Sequence, residues 1–244
     1  MSDQLSRGFP VDEFEFRHNR ASKYMYEAGL DGLLVTSEQH FRYFSGFDSQ
    51  FWASPTRPWF LVIPRDKPIV AVIPEIGKIG MEKTWIKDIR TWPAPVPEDD
   101  GITLLADTIK ELVSPNLNIG TELGHEMVLR MPILDFEKLS KLLLPIEIGD
   151  ATTVFKKLRA IKSEREIQKL LPIVDEVNKI SKSLENESDD QLVKKTQEFQ
   201  TLLNSCSEEI KSDKLNQDLS REKISKLEYD AHQEILNEIL PEAF

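Results

Sequence analysis

Residues 30–46 read LDGLLVTSEQHFRYFSG, and their pattern decides the fold. Leu33, Leu34, Val35 and Thr36 lack the alternation of a strand with one wet face, so they predict a strand covered on both sides. A small polar turn leads from them into an aromatic-rich segment that Gly46 closes as a short helix, and Gly29 closes a helical pattern on the upstream side. A buried strand passing into a helix predicts an α/β domain.

Upstream, residues 12–28 predict an amphipathic helix, with Phe16, Tyr24, Met25 and Ala28 on its apolar face and Arg17, Arg20 and Lys23 opposite. Downstream, FDSQFWASPTRPW (residues 47–59) mixes rings with turn formers and predicts a loop carrying exposed aromatics and Arg57. Residues 59–63 and 69–73, joined through PRDKP, predict a hairpin, with its prolines at strand ends where a missing donor does least harm. A short helix at 76–81, a strand at 86–92 and a polyproline-like connector, PAPVPEDDG, come next. A helix at 103–112, a strand at 118–121, a mostly helical stretch at 127–143 broken near Pro132, and a strand at 146–148 complete the alternation. The hairpin makes the expected sheet mixed rather than purely parallel.

All ten glycines and all four tryptophans lie at or before Gly149, and only Pro172 and Pro241 interrupt the chain beyond it. The expected organisation is an α/β domain over residues 1–155 and an α-helical tail over 156–244. In the tail, Ile167, Leu170, Leu171, Val174, Val177, Ile180 and Leu184 form one helical stripe, which Pro172 must kink or restart. Ser188 and Gln191 have capping-box spacing ahead of Leu192, Val193, Thr196, Phe199 and Leu203. A third helix is expected from about Ser220, with Ile224, Leu227, Ala231, Ile235 and Ile239 inward. CSEEIKSDKLNQDL between them reads as a loop or a frayed helix.

Of the net charge of −11, residues 169–244 carry −7. An acidic chain disfavours nucleic-acid partners. There is no signal-like region near Met1 and no run long enough to span a bilayer, and Cys206 has no second cysteine to pair with, so a cytoplasmic protein is expected.

His18, His40, His125 and His232 have no metal-ligand spacing, and GLDG, GKIG and GTELG lack the phosphate-binding and dinucleotide signatures. A serine nucleophile elbow is missing, and the abundant carboxylates are a solvated-surface signature. No catalytic, metal or nucleotide residue is therefore assigned. The substrate-contact candidates are Phe51, Trp52 and Trp59, an apolar wall, with Arg57 between prolines as a cationic anchor for a carboxylate, and His40 nearby. The alternative is that the rings pack the loop onto the sheet or another subunit, and that His40 caps or packs beside Phe41 and Tyr43.

FRHNRASKYMYEAGLDGLLVTSEQHFRYFSGF resembles the opening of the creatinase/prolidase family, through Arg20, Gly29, Leu30, Asp31, the strand at 33–36, Tyr43, Gly46 and Phe47. LRAIKSEREI (158–167) is similar to that family's R-x-x-K-S-x-x-E-I passage into its catalytic half. The resemblance implies a three-layer N-terminal domain of ribonuclease-H-like layout ahead of a "pita-bread" domain binding two divalent metals such as Mn or Co. It also implies a dimer, with the N-terminal domain shaping the partner subunit's pocket. No residue after Ile167 matches the family's two Asp, one His and two Glu ligands, so no cofactor is expected in this chain and it is expected to be inactive alone, with its catalytic domain missing.

The tail resembles the N-terminal helical segment of the SecA preprotein translocase ATPase, through Ser188 to Leu192, Lys195, Thr196, Glu198 and Phe199, then LPEAF at 240–244. That likeness implies translocase partners. Two resemblances meeting near residues 162–170 point to a chimera or a truncated product.

Overall fold

The computed structural model describes residues 8–54, 57–185, 187–215 and 221–243. The chain forms two compact units, divided between Lys162 and Ser163, beyond the expected 155/156. In the first unit the order is α1 (Val11–Ala28), β1 (Gly32–Val35), α2 (Glu38–Ser45), a 3-10 turn at Gln50–Ala53, β2 (Phe60–Pro64) and β3 (Val70–Pro74). A second 3-10 turn, Glu75–Gly77, runs into α3 (Lys78–Met81), followed by β4 (Asp88–Trp92), α4 (Ile102–Leu112) and β5 (Asn118–Thr121). The unit ends with α5 (Ile133–Leu143), β6 (Glu147–Asp150) and α6 (Thr152–Ala160).

The six strands form one sheet in the order β4-β3-β2-β1-β5-β6. β2 is antiparallel to both β1 and β3, and the other pairings are parallel, so every strand except β2 runs the same way. This is the expected mixed sheet, and β1 at its centre is buried along its whole length. Successive side chains point to opposite faces. Leu33, Val35, Leu61, Ile63, Ala71 and Ile73 meet Ala21, Met25, Phe41, Phe44, Phe155 and Leu158 from α1, α2 and α6. Leu34, Phe60, Val62, Val70 and Val72 meet Ile102, Leu105, Ile109, Leu139 and Leu143 from α4 and α5. Helices cover both faces, giving the three layers; each large aliphatic side chain buried this way contributes about 1.5–3 kcal/mol.

Two helices depart from expectation. The inward face of α1 carries Phe14, Arg17, Ala21 and Met25, while Phe16 is 48% exposed. Arg17 tolerates burial because its Nε donates to Glu13 at 2.9 Å, its Nη1 donates to the Tyr43 carbonyl at 2.8 Å, and its guanidinium lies 4.4 Å from the Phe9 and Tyr43 rings. The stretch expected over 127–143, mostly helical with a break near Pro132, is helical only from Ile133, where Pro132 caps it in an extended conformation (ψ 141°).

The second unit consists of α7 (Glu164–Leu184), α8 (Asp189–Leu215) and α9 (Arg221–Ala243). Ser163 and Glu166 form a capping box at the start of α7, and Pro172 lies inside that helix without ending it. Ser188 and Gln191 exchange the hydrogen bonds their spacing predicts. The stretch expected to be a loop after Cys206 is helical as far as Leu215, since its Lys, Glu and Leu residues are good helix formers. That part of α8 is also tied to α9, by Lys211 and Glu228 at 3.1 Å and by His232 Nε2 and Ser207 Oγ at 2.7 Å. Residues 216–219 of that stretch, Ser220 and Phe244 lie outside the described residues. Among the described residues no helix is long and apolar enough to cross a membrane.

Candidate functional site

The chain leaves β1 for β2 on one side and returns as β5 on the other. In an open α/β sheet, the carboxyl ends of two strands so related frame the usual ligand crevice. Here the position is filled by the protein's own polar groups. β1 ends in Thr36 and Ser37, and Ser37 caps α2; β5 ends in Thr121, whose Oγ1 donates to the Leu34 carbonyl at 2.8 Å, and the next residue is Glu122.

The Glu122 carboxylate is buried and takes five donors. Oε2 accepts from the Thr36 amide at 2.8 Å, the Thr36 hydroxyl at 3.0 Å and the Ser37 amide at 2.9 Å. Oε1 accepts from the Ser37 hydroxyl and from His40 Nδ1 at 2.5 Å. Burial pushes the Glu122 pKa up, but the hydrogen bonds from His40, Ser37 and the Thr36 amide, together with the attraction of His40, outweigh it and leave the carboxyl below its ordinary value. The His40 ring is fixed from the other side by stacking on Phe155, 4.4 Å between centroids.

Ser37, His40 and Glu122 share the residue types of a hydrolytic triad but not its wiring. A nucleophilic serine gives its proton to one imidazole nitrogen while the carboxylate holds the other. Here the Ser37 hydroxyl and the carboxylate both face Nδ1, and the hydroxyl donates to the carboxylate itself. The arrangement fastens the start of α2 to the end of β5; it is not a proton relay. It does not fit a dinuclear metal either, because the carboxylate oxygens are taken and one imidazole remains. Among the described residues no group of three or more His, Cys, Asp or Glu is placed to hold a metal ion.

The aromatic loop lies beside this network, and its rings are not exposed as expected. Trp59 is fully buried, stacked at 5.3 Å on Phe47 and 6.4 Å from Phe51, and Trp52 tilts against it at 5.6 Å. Gly77 completes the cover: a Cβ there would meet the Trp59 ring at 2.2 Å. The physical reason is area, since four large rings in one short loop gain more from packing on each other and the sheet than from facing water. The structure thus gathers Phe51, Trp52 and Trp59 into one cluster. Arg57 stands half-exposed at its edge, and His40 belongs to the neighbouring Glu122 network.

Arg130 joins the two. Its guanidinium donates to the carbonyls of Arg57 at 3.0 Å, Trp52 at 3.1 Å and Ser54, and lies 4.9 Å from the Trp52 ring centroid. Burial lowers the Arg130 pKa against the opposing pull of Glu38. Its own amide donates to Thr36 Oγ1 at 3.0 Å, the hydroxyl that donates to Glu122. Sequence reasoning missed both residues. Glu122 is one carboxylate among 42 acidic residues, distinguished only by following an apolar strand, and Arg130 sits in a stretch that read as helix.

Around this edge large apolar side chains face outward: Ile76, Ile79 (73% exposed), Val128, Ile133 and Leu134 (77%). They lie in the segments that follow the carboxyl ends of β3 and β5.

The family described as the creatinase/prolidase N-terminal domain matches residues 17–161. Among solved structures, the chain is similar to a prolidase from Thermococcus sibiricus, with 19% identity, a TM-score of 0.56, and coverage of 72% of this chain and 44% of that one. It is similar to the dipeptidase PepE from Mycobacterium ulcerans, with 22% identity, a TM-score of 0.54 and coverage of 72% and 44%. A third, the Xaa-Pro dipeptidase from Bacillus anthracis, gives 19% identity, 0.53, and coverage of 70% and 42%. At these identities the likeness is one of fold, and the chain spans less than half the length of these structures. A SecA protein translocase subunit from Chloroherpeton thalassium is 35% identical over 106 residues, covering 36% of this chain and 10% of that protein.

Proposed function

The chain belongs to the creatinase/prolidase N-terminal domain family, and from that premise we propose that its α/β unit is a non-catalytic domain of a cytoplasmic Xaa-Pro-cleaving metallohydrolase, shaping substrate access and dimer contacts. The observation that carries this reading is the closed crevice: the Glu122 carboxylate, which a pocket would leave open to a ligand, is spent on five internal donors. What the unit offers outward is a braced aromatic loop and a rim of apolar side chains, which are means of contact and not of bond cleavage. Two divalent ions such as Mn²⁺ or Co²⁺ belong, on this reading, to a catalytic domain outside the unit. Phe51 and Arg57, backed by the buried rings of Trp52 and Trp59, serve as a wall beside the substrate's path, with His40 holding the turn beneath it. The test is hydrolysis of Ala-Pro by the purified chain in Mn²⁺ or Co²⁺. No turnover above the metal-only blank is expected, and turnover abolished by a chelator overturns the proposal.

A second reading concerns the helical unit. The match to a SecA subunit supports a segment that contacts protein-translocation partners without an ATPase core. Removing residues 171–244 discriminates: capture of translocase components that is unchanged by the deletion rules this reading out.

A further inference from the structure

We infer that Arg130 is the positioning residue of the aromatic loop: it fixes how that loop stands over the carboxyl edge of the sheet, and so the shape of the wall offered to substrate. The role of that wall rests on the function proposed above; the clamp itself rests on geometry.

Among its described residues the loop between α2 and β2 has little regular structure of its own, a single 3-10 turn at Gln50–Ala53. Its rings are anchored by packing on one another, and dispersion contacts are individually weak and less directional than a hydrogen bond. Its main chain needs a directional partner, and Arg130 supplies one. A planar guanidinium presents its donors in a fixed fork. Here the fork spans the carbonyls of Trp52, Ser54 and Arg57, so it holds the loop's main chain at three points. The same guanidinium lies over the Trp52 ring at 4.9 Å, so it restrains that side chain as well as its backbone.

Arg130 is itself held from below. Its amide bonds the Thr36 hydroxyl at 3.0 Å, and Thr36 bonds Glu122 through both its amide and its hydroxyl. The path from His40 through Glu122, Thr36 and Arg130 to the loop is an unbroken chain of hydrogen bonds. The cluster therefore has two layers with separate jobs: the Glu122 network fixes the sheet edge, and Arg130 transfers that fixed position to the rings. A lysine in place of Arg130 keeps the charge over Trp52 but cannot span three carbonyls, so it should restore the ring's position only in part. A methionine keeps the apolar stem and removes both.

The experiment uses the full chain labelled with 5-fluorotryptophan. Its four tryptophans, Trp52, Trp59, Trp85 and Trp92, give four fluorine resonances, with Trp52 assigned through Trp52→Phe. In Arg130→Met the Trp52 resonance is expected to shift and broaden, with a smaller change at Trp59 and none at Trp85 or Trp92; Arg130→Lys recovers part of the shift. Four unchanged resonances overturn the clamp, and so do four that move together with a collapsed melting temperature, because Arg130 is then a general stability residue. Titration with Ala-Pro separates the clamp from the function. A Trp52 shift in the unmodified chain that is lost in Arg130→Met and partly regained in Arg130→Lys supports a positioning role towards substrate. Absence of any peptide response in the unmodified chain, with the variant effect on Trp52 intact, overturns the substrate wall and leaves the clamp standing.

Discussion

Helices α6 and α7 are neighbours in sequence, each amphipathic, yet their apolar faces meet different fates. In α6, Val154, Phe155 and Leu158 are buried and join the core that includes α1, α2 and one face of the sheet. In α7, Ile167, Leu170, Leu171 and Val174 are each about half-exposed, and no residue of that helix is buried. The periodicity that makes a helix is present in both; what α6 has besides is a surface of complementary shape, supplied by a β-sheet. Hydrophobic spacing specifies a helix and its face, while the partner of that face has to come from elsewhere in the fold.

The sharpest way to break the comparison is to delete one large side chain from each region. Phe155→Ala is expected to cost the α/β unit about 3–5 kcal/mol, through lost burial and a cavity that cannot fully collapse. Urea unfolding followed by tryptophan emission reads this unit alone, because all four tryptophans lie in it. A loss under about 1 kcal/mol would mean that α6 is no better packed than α7.

Glu122→Gln is next, at about 2–4 kcal/mol in the same assay, since the amide nitrogen then faces donors and the charge that ordered them is gone. The substitution also changes the acid response. The folded-state pKa of Glu122 lies below the unfolded value near 4.5, so the stability it contributes is fully present above that value and is lost as pH falls through the folded pKa. Stability between pH 5 and pH 3 should accordingly fall less steeply in Glu122→Gln; an unchanged slope contradicts the charged, hydrogen-bonded carboxylate described above.

Gly77→Ala should cost about 1–3 kcal/mol, because the new methyl has to displace the fully buried Trp59 ring. A blue-shifted or unchanged emission with full stability would show that the ring has room to yield. Smallest is Leu171→Ala, expected to move the tryptophan-detected midpoint by less than about 0.5 kcal/mol. A larger effect would sharpen the comparison in the opposite sense, by showing that the α7 stripe supports the α/β unit.

Much of the sheet was legible because its signals are local. The unbroken run at Leu33 to Val35 says that both faces are covered, and the runs that became β2 and β3 are short, apolar and bounded by turn formers. The polar interior was not legible, because its signals are pairwise across the chain. Arg17 reads as a solvent-facing charge, and what lets it be buried is, beside Glu13 on its own helix, the carbonyl and ring of Tyr43, 26 positions away. Nothing adjacent to Glu122 tells it from the other carboxylates; its partners at Thr36, Ser37 and His40 are what set it apart. The same holds for the rings of the aromatic loop. Their composition suggested contact with a ligand, whereas their burial depends on Gly77 and Arg130, residues whose proximity no local pattern reports.

The hydrogen bonds from Arg130 to the loop reach back across 73, 76 and 78 positions of sequence, and those that Glu122 accepts from Thr36, Ser37 and His40 span 82 to 86. Contacts this distant in sequence carry a large loop-closure cost and form late in folding, after hairpins such as β2–β3 whose partners lie close together. On a ribosome the consequence is one of timing: the rings of residues 47–59 are synthesised early, but the groups that brace them do not exist until residue 130 has emerged. Through that interval four aromatic side chains are exposed without their final support, which makes the nascent chain's most vulnerable moment a property of where its clamp is encoded.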